Sequence, residues 1–256
     1  MTNATDKDEI TESSAEPRLG PWTISTIDFG LFISMALVLI FICSTLGLKI
    51  VEWIPALKAL STDDLLSTIL GGYGLQLGSI LAFVLFARLV ATQNNDNPVP
   101  IKKAISVGLA SLVVCYCVLI AFVPLWKLLL QGLNIPFEIQ EPVQMLLDGG
   151  SPLEMALMYI LIVVGAPLGE ELLFRGGIFR FLNSRISMPY AAIASSILFG
   201  LVHFNVYSFG PLVILGLAMC FVYYKTGSLF ANITLHAAFN LMNLIFISIT
   251  NSKELV

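Results

Sequence analysis

Glu170 and Glu171 stand side by side in the stretch Gly169-Glu170-Glu171-Leu172-Leu173-Phe174-Arg175, directly after the apolar run Met155 to Leu168. An acidic side chain at mid-membrane costs about 2.5–3.5 kcal/mol even on the lenient insertion scale, so two adjoining ones need compensation. On a helix Glu171 and Arg175 lie four apart on one face and can neutralise each other. Glu170 points about 100° away and has no local partner, which leaves it available for proton transfer. Snorkelling charges at a helix end would explain an isolated acidic pair. However, the two histidines of the chain, His203 and His236, also fall within apolar stretches. Taken singly, a histidine on an apolar helix is usually a packed residue. Around His236, Asn232, Asn240 and Asn243 make one polar stripe at spacings of four, four and three. Helix–helix hydrogen bonding would account for the asparagines alone, but lipid offers them no partners, so the stripe must face the bundle interior. A carboxylate, two imidazoles and an amide meeting there can activate a water and stabilise an oxyanion. The expected chemistry is hydrolysis. Glu170 would act as general base toward a water shared with His203, and His236 with Asn240 would hydrogen-bond a carbonyl oxygen as it becomes an oxyanion.

The elements that must position these residues are read from the hydropathy. With 57% hydrophobic and 12% charged residues and a mean hydropathy of +0.89, the chain lies outside the soluble globular range. The expected fold is all-α, a polytopic membrane helix bundle of about seven transmembrane helices plus one or two interfacial amphipathic helices. Spans are expected over about 29–51, 65–90, 104–125, 152–168, 189–206, 211–224 and 229–249. The mixed segment 126–151 is placed at the membrane surface, where it can roof a site. The piece 176–186, with Arg180 and Arg185 among apolar residues, reads as a second interfacial helix. Pro167 is expected to kink or restart the helix just before the acidic pair. Residues 1–20 are polar and acidic and read as a disordered cytoplasmic tail. Residues 21–256 read as a single transmembrane domain. No basic n-region precedes the first span, which is taken as a retained anchor.

Charge excludes one class of partner and sets an orientation. The net charge of -4 arises largely in the tail, and no basic patch is present to hold nucleic acid. The four cysteines, Cys43, Cys115, Cys117 and Cys220, lie inside apolar spans and read as small buried residues. Counted on alternate sides of seven spans, nine basic residues (Lys7, Arg18, Arg88, Lys102, Lys103, Arg175, Arg180, Arg185 and Lys225) oppose four (Lys49, Lys58, Lys127 and Lys253). The positive-inside rule then places the amino terminus in the cytoplasm, with the acidic pair near the cytoplasmic face of a bacterial-type plasma membrane.

Three ordered blocks resemble the signature of the CPBP family, the CAAX-processing (Rce1-type) proteases and bacteriocin-processing or immunity relatives also called the Abi family. They are Glu170-Glu171-Leu172-Leu173-Phe174-Arg175, Phe199-Gly200-Leu201-Val202-His203 and His236-Ala237-Ala238-Phe239-Asn240. The signature-bearing part covers about 153–244. The resemblance implies an intramembrane endopeptidase acting on membrane-associated peptides or proteins. It makes Glu170 and His203 the pair that activates water and His236 with Asn240 the oxyanion side. Glu171 and Arg175 would be structural or substrate-orienting, and Phe199 would line the site. Glu170, His203 and His236 could hold a zinc ion with one open position, but no His-Glu-x-x-His helix is present. Because an asparagine suits an oxyanion better than zinc, a metal-free reaction with no cofactor is the expectation. Two other classes stay open: a proton- or ion-coupled transporter built on the buried Glu and His, and a catalytically inactive immunity or scaffold protein.

Overall fold

Long apolar runs in lipid must satisfy their own backbone groups and therefore coil into helices. The computed structural model describes residues 18–20, 22–61, 64–90 and 96–249, and among these it contains helices and no strand. The expected tail otherwise lies outside the described residues. In chain order the helices are α1 (Thr26–Trp53), α2 (Leu65–Leu89), α3 (Ile101–Gly132), α4 (Glu141–Asp148), α5 (Pro152–Asn183), α6 (Met188–Leu201), α7 (Val206–Thr226) and α8 (Leu229–Ile249), with a single turn, Pro55–Lys58, after α1. Six of them, α1, α2, α3, α5, α7 and α8, are long and apolar enough to cross a membrane. Large apolar side chains such as Phe41, Val114 and Ile120 remain exposed on their outer surfaces, as lipid contact requires. The protein is an integral, multi-pass membrane protein. At 14 residues α6 is about 21 Å long, too short to span alone. The seven expected spans therefore correspond to six helices of spanning length and this shorter apolar one.

Polar ties at the helix ends define the two faces. At the first, the Gly20 N–H donates to Asp96, Asp96 pairs with Arg180 at 2.6 Å, and the Val99 N–H donates to the Thr226 carbonyl. Arg180 also lies over the Trp22 ring, and Arg185 donates to the Ile24 carbonyl. At the opposite face Trp126 donates to the Tyr207 carbonyl, and Gln140 donates to Ser208. α3 accordingly runs on to Gly132, past the expected end of its span. Between the faces α1 and α2 pack backbone to backbone. A Cβ on Gly74 would strike the Cys43 carbonyl, so the glycines of α2 serve close contact and leave the helix unbroken.

The largest departure from expectation lies in α5. Pro167 does not end this helix, because the segments Leu161–Gly165 and Leu172–Phe179 are wound as π-helix on either side of Ala166–Glu171. In an α-helix the proline ring would collide with a carbonyl of the preceding turn, and the wider turn gives it room. The stretch 176–186 is therefore not an interfacial helix but mostly the end of α5. Arg175 and Arg180 are buried within the bundle. Without these two, the basic residues on the first side number seven, still against four. The acidic pair consequently sits midway along a 32-residue helix rather than at a membrane edge.

Candidate active site

Glu171 is the hub of the buried polar groups. Its side chain is fully inaccessible and accepts three hydrogen bonds, from Arg175 Nη1 at 3.0 Å, His236 Nδ1 at 3.0 Å and Asn232 Nδ2 at 3.2 Å. The ion pair is the i, i+4 contact expected from the sequence, and α8 adds two further donors. Asn232 also donates to the Met219 carbonyl on α7, and Arg175 donates to the Gly216 carbonyl. Three helices are thereby pinned around one carboxylate. Because a carboxylate only accepts here, His236 donates through Nδ1, which leaves Nε2 for other use.

That Nε2 lies 3.9 Å from Oε2 of Glu170, beyond a direct hydrogen bond. Glu170 Oε2 is buried and has no hydrogen-bond partner. Adjacent glutamates thus have opposite settings: one is saturated with donors and the other has an oxygen with none. Glu170, His203, His236 and Asn240 all line one cavity of about 730 Å³. Its remaining wall is mostly apolar, and α4 contributes Pro142, Val143, Met145 and Leu146, so the surface segment does roof the site. The cavity lies toward the face that carries α4. This is the face opposite the ties to Gly20 and Thr226.

His203 reaches this wall because α6 stops early. The helix ends at Leu201, and His203 sits in the turn that follows, not inside a span as expected. Its Nδ1 donates to the Phe199 carbonyl at 2.7 Å, which again fixes the tautomer and leaves Nε2 unengaged. Asn240 is fixed by a different device. The Ala166 N–H donates five residues back to the Leu161 carbonyl, and Pro167 has no N–H, so the Ile162 carbonyl lacks both of its ordinary helical donors. Asn240 Nδ2 fills that place at 2.8 Å. This settles the orientation of the amide and leaves its second N–H for the cavity.

Phe199 does not line the site as expected. It is wholly buried behind the site, with the Arg175 guanidinium 4.5 Å over its ring and with His203 and His236 edge-on to it at 4.9 and 5.9 Å. It packs against both imidazoles but not against the cavity. Among the described residues no group of three or more His, Cys, Asp and Glu side chains is gathered closely enough to hold a metal ion. The sequence reading missed Asn232 as a Glu171 ligand, and it missed Gln76, which lines the cavity from α2. A lone amide in the apolar run around Leu75 and Leu77 was the available signal for the latter.

Comparison with known proteins gives a family-model match over the part of the chain that carries this geometry. Residues 152–242 match the family model described as type II CAAX prenyl endopeptidase Rce1-like, a stretch that holds all seven expected site residues. No curated protein and no solved structure matches the chain.

Proposed function

From the match of residues 152–242 to the Rce1-like family model we propose that the protein hydrolyses peptide bonds of membrane-associated peptides or proteins, with Glu170 as the general base. The observation that carries this reading is the buried, partnerless Glu170 oxygen facing His236 Nε2 on the wall of a cavity shared with His203 and Asn240. In the first step Glu170 takes a proton from a water that His203 orients, and the water oxygen bonds to the scissile carbonyl carbon. The carbonyl oxygen becomes an oxyanion that accepts from the second N–H of Asn240 and from His236. With Nδ1 already donating to Glu171, His236 can donate through Nε2 only as an imidazolium. Glu170 finally passes its proton to the departing amine as the C–N bond breaks.

The reaction is read as metal-free, because an asparagine on the site suits an oxyanion better than it suits zinc. Purified protein in detergent is expected to cleave membrane peptides at an unchanged rate after treatment with 1,10-phenanthroline. Loss of cleavage that returns with added zinc would overturn the metal-free step. Orientation is taken from the same basic count as before, with the first face cytoplasmic and the cavity toward the opposite one. Expressed in bacteria, a phosphatase fused after residue 249 is expected to be active, and an inactive fusion with a fluorescent counterpart would reverse the assignment.

A further inference from the structure

Gln76 is a polar residue that the mechanism above does not use. It is 8% exposed, and its Oε1 is buried without a hydrogen-bond partner. It lines the cavity together with Glu170, His203, His236 and Asn240. Its side-chain oxygen lies against Gly169, where a Cβ would overlap that oxygen and crowd the Gln76 backbone. A glycine gives room for this approach, and Gly169 is the residue immediately before the general base. An amide held beside Glu170 with its carbonyl unpaired is poorly explained as packing, because leucine would fill the same wall without a polar group to satisfy.

We propose that Gln76 is a substrate-binding residue that hydrogen-bonds the peptide backbone of the chain being cut, next to the scissile bond. The proposal rests on the endopeptidase reading. A primary amide offers one acceptor and two donors, which complement the N–H and C=O of a single peptide unit. Asn240, anchored to the Ile162 carbonyl, presents a second amide on the same cavity. A peptide laid between the two would be held by its main chain while its side chains meet the apolar remainder of the wall. Gln76 lies outside the matched stretch 152–242, so this contact is supplied by the first half of the chain.

The test compares wild type, Gln76→Leu and Gln76→Met in detergent on a quenched-fluorophore peptide of leucine and alanine. A matched set carries single backbone esters in place of the N–H groups flanking the cut. Each variant is expected to lower kcat/KM about tenfold, mainly through KM, with an unchanged or raised melting temperature. One ester position should slow the wild type and leave Gln76→Leu unaffected. A variant with wild-type kcat/KM, an equal ester effect in all proteins, or activity lost in step with melting temperature in both variants would overturn the proposal. If wild type cleaves no peptide of the set while the Gln76 variants are folded, the endopeptidase reading fails first and takes the contact with it.

Discussion

Glu170→Gln is expected to lower turnover by about 10³-fold while the bundle stays folded, since a positioned general base contributes roughly 10²–10⁴. The substitution keeps the shape of the side chain and removes its capacity to take a proton. Glu170 makes no hydrogen bond through Oε2, and its one ionic neighbour, His236 Nε2, stands 3.9 Å away, so little structure depends on its charge. The melting temperature in detergent should be unchanged or higher, because sites built for chemistry are commonly stabilised when their unpaired groups are removed. A fall in activity accompanied by an equal fall in stability would assign Glu170 to the scaffold instead.

Arg175→Met is expected to give the largest loss of stability, about 3–5 kcal/mol, as is usual when one partner of a buried ion pair is removed. Arg175 and Glu171 are both fully inaccessible, and the guanidinium also donates to the Gly216 carbonyl and lies over the Phe199 ring. Without it Glu171 keeps a charge deep in the bundle with only neutral donors or His236 to offset it. Thermal unfolding in detergent reads the loss directly. The double variant Glu171→Gln with Arg175→Met should recover much of the stability, because the stranded charge is gone. It should remain inactive, because His236 no longer has a carboxylate to hold Nδ1. Recovery of activity in the double variant would show that Glu171 does not position His236.

What the sequence made legible here follows from the solvent. Polar groups inside lipid-spanning runs must pair within the protein, so the sequence alone groups Glu170, Glu171, Arg175, His203, His236 and Asn240. The Glu171 and Arg175 contact was readable because it is local, four residues apart on one helix. The contact between Glu171 and His236 was not, since it joins residues 65 apart and depends on how α5 and α8 pack. Depth was misjudged for a separate reason. Pro167 reads as a helix end under α-helical rules, and two π-helical segments let α5 pass through it, which moves the acidic pair from the end of a helix to the middle of one. The same segments free the Ile162 carbonyl that fixes Asn240, a role no spacing rule contains. Phe199 was placed on the wrong side of the imidazoles because an aromatic beside a histidine reads the same whether it faces a ligand or the core.

The central claim is that a partnerless Glu170 and two Nδ1-anchored imidazoles form one hydrolytic centre. The most direct measurement is an untargeted comparison of peptide termini in membranes from cells carrying wild type or Glu170→Gln at equal protein levels. The account predicts a set of new termini, within or beside apolar segments, that are present with wild type and absent with the variant. Identical termini in the two samples, with both proteins folded in the membrane, would contradict it.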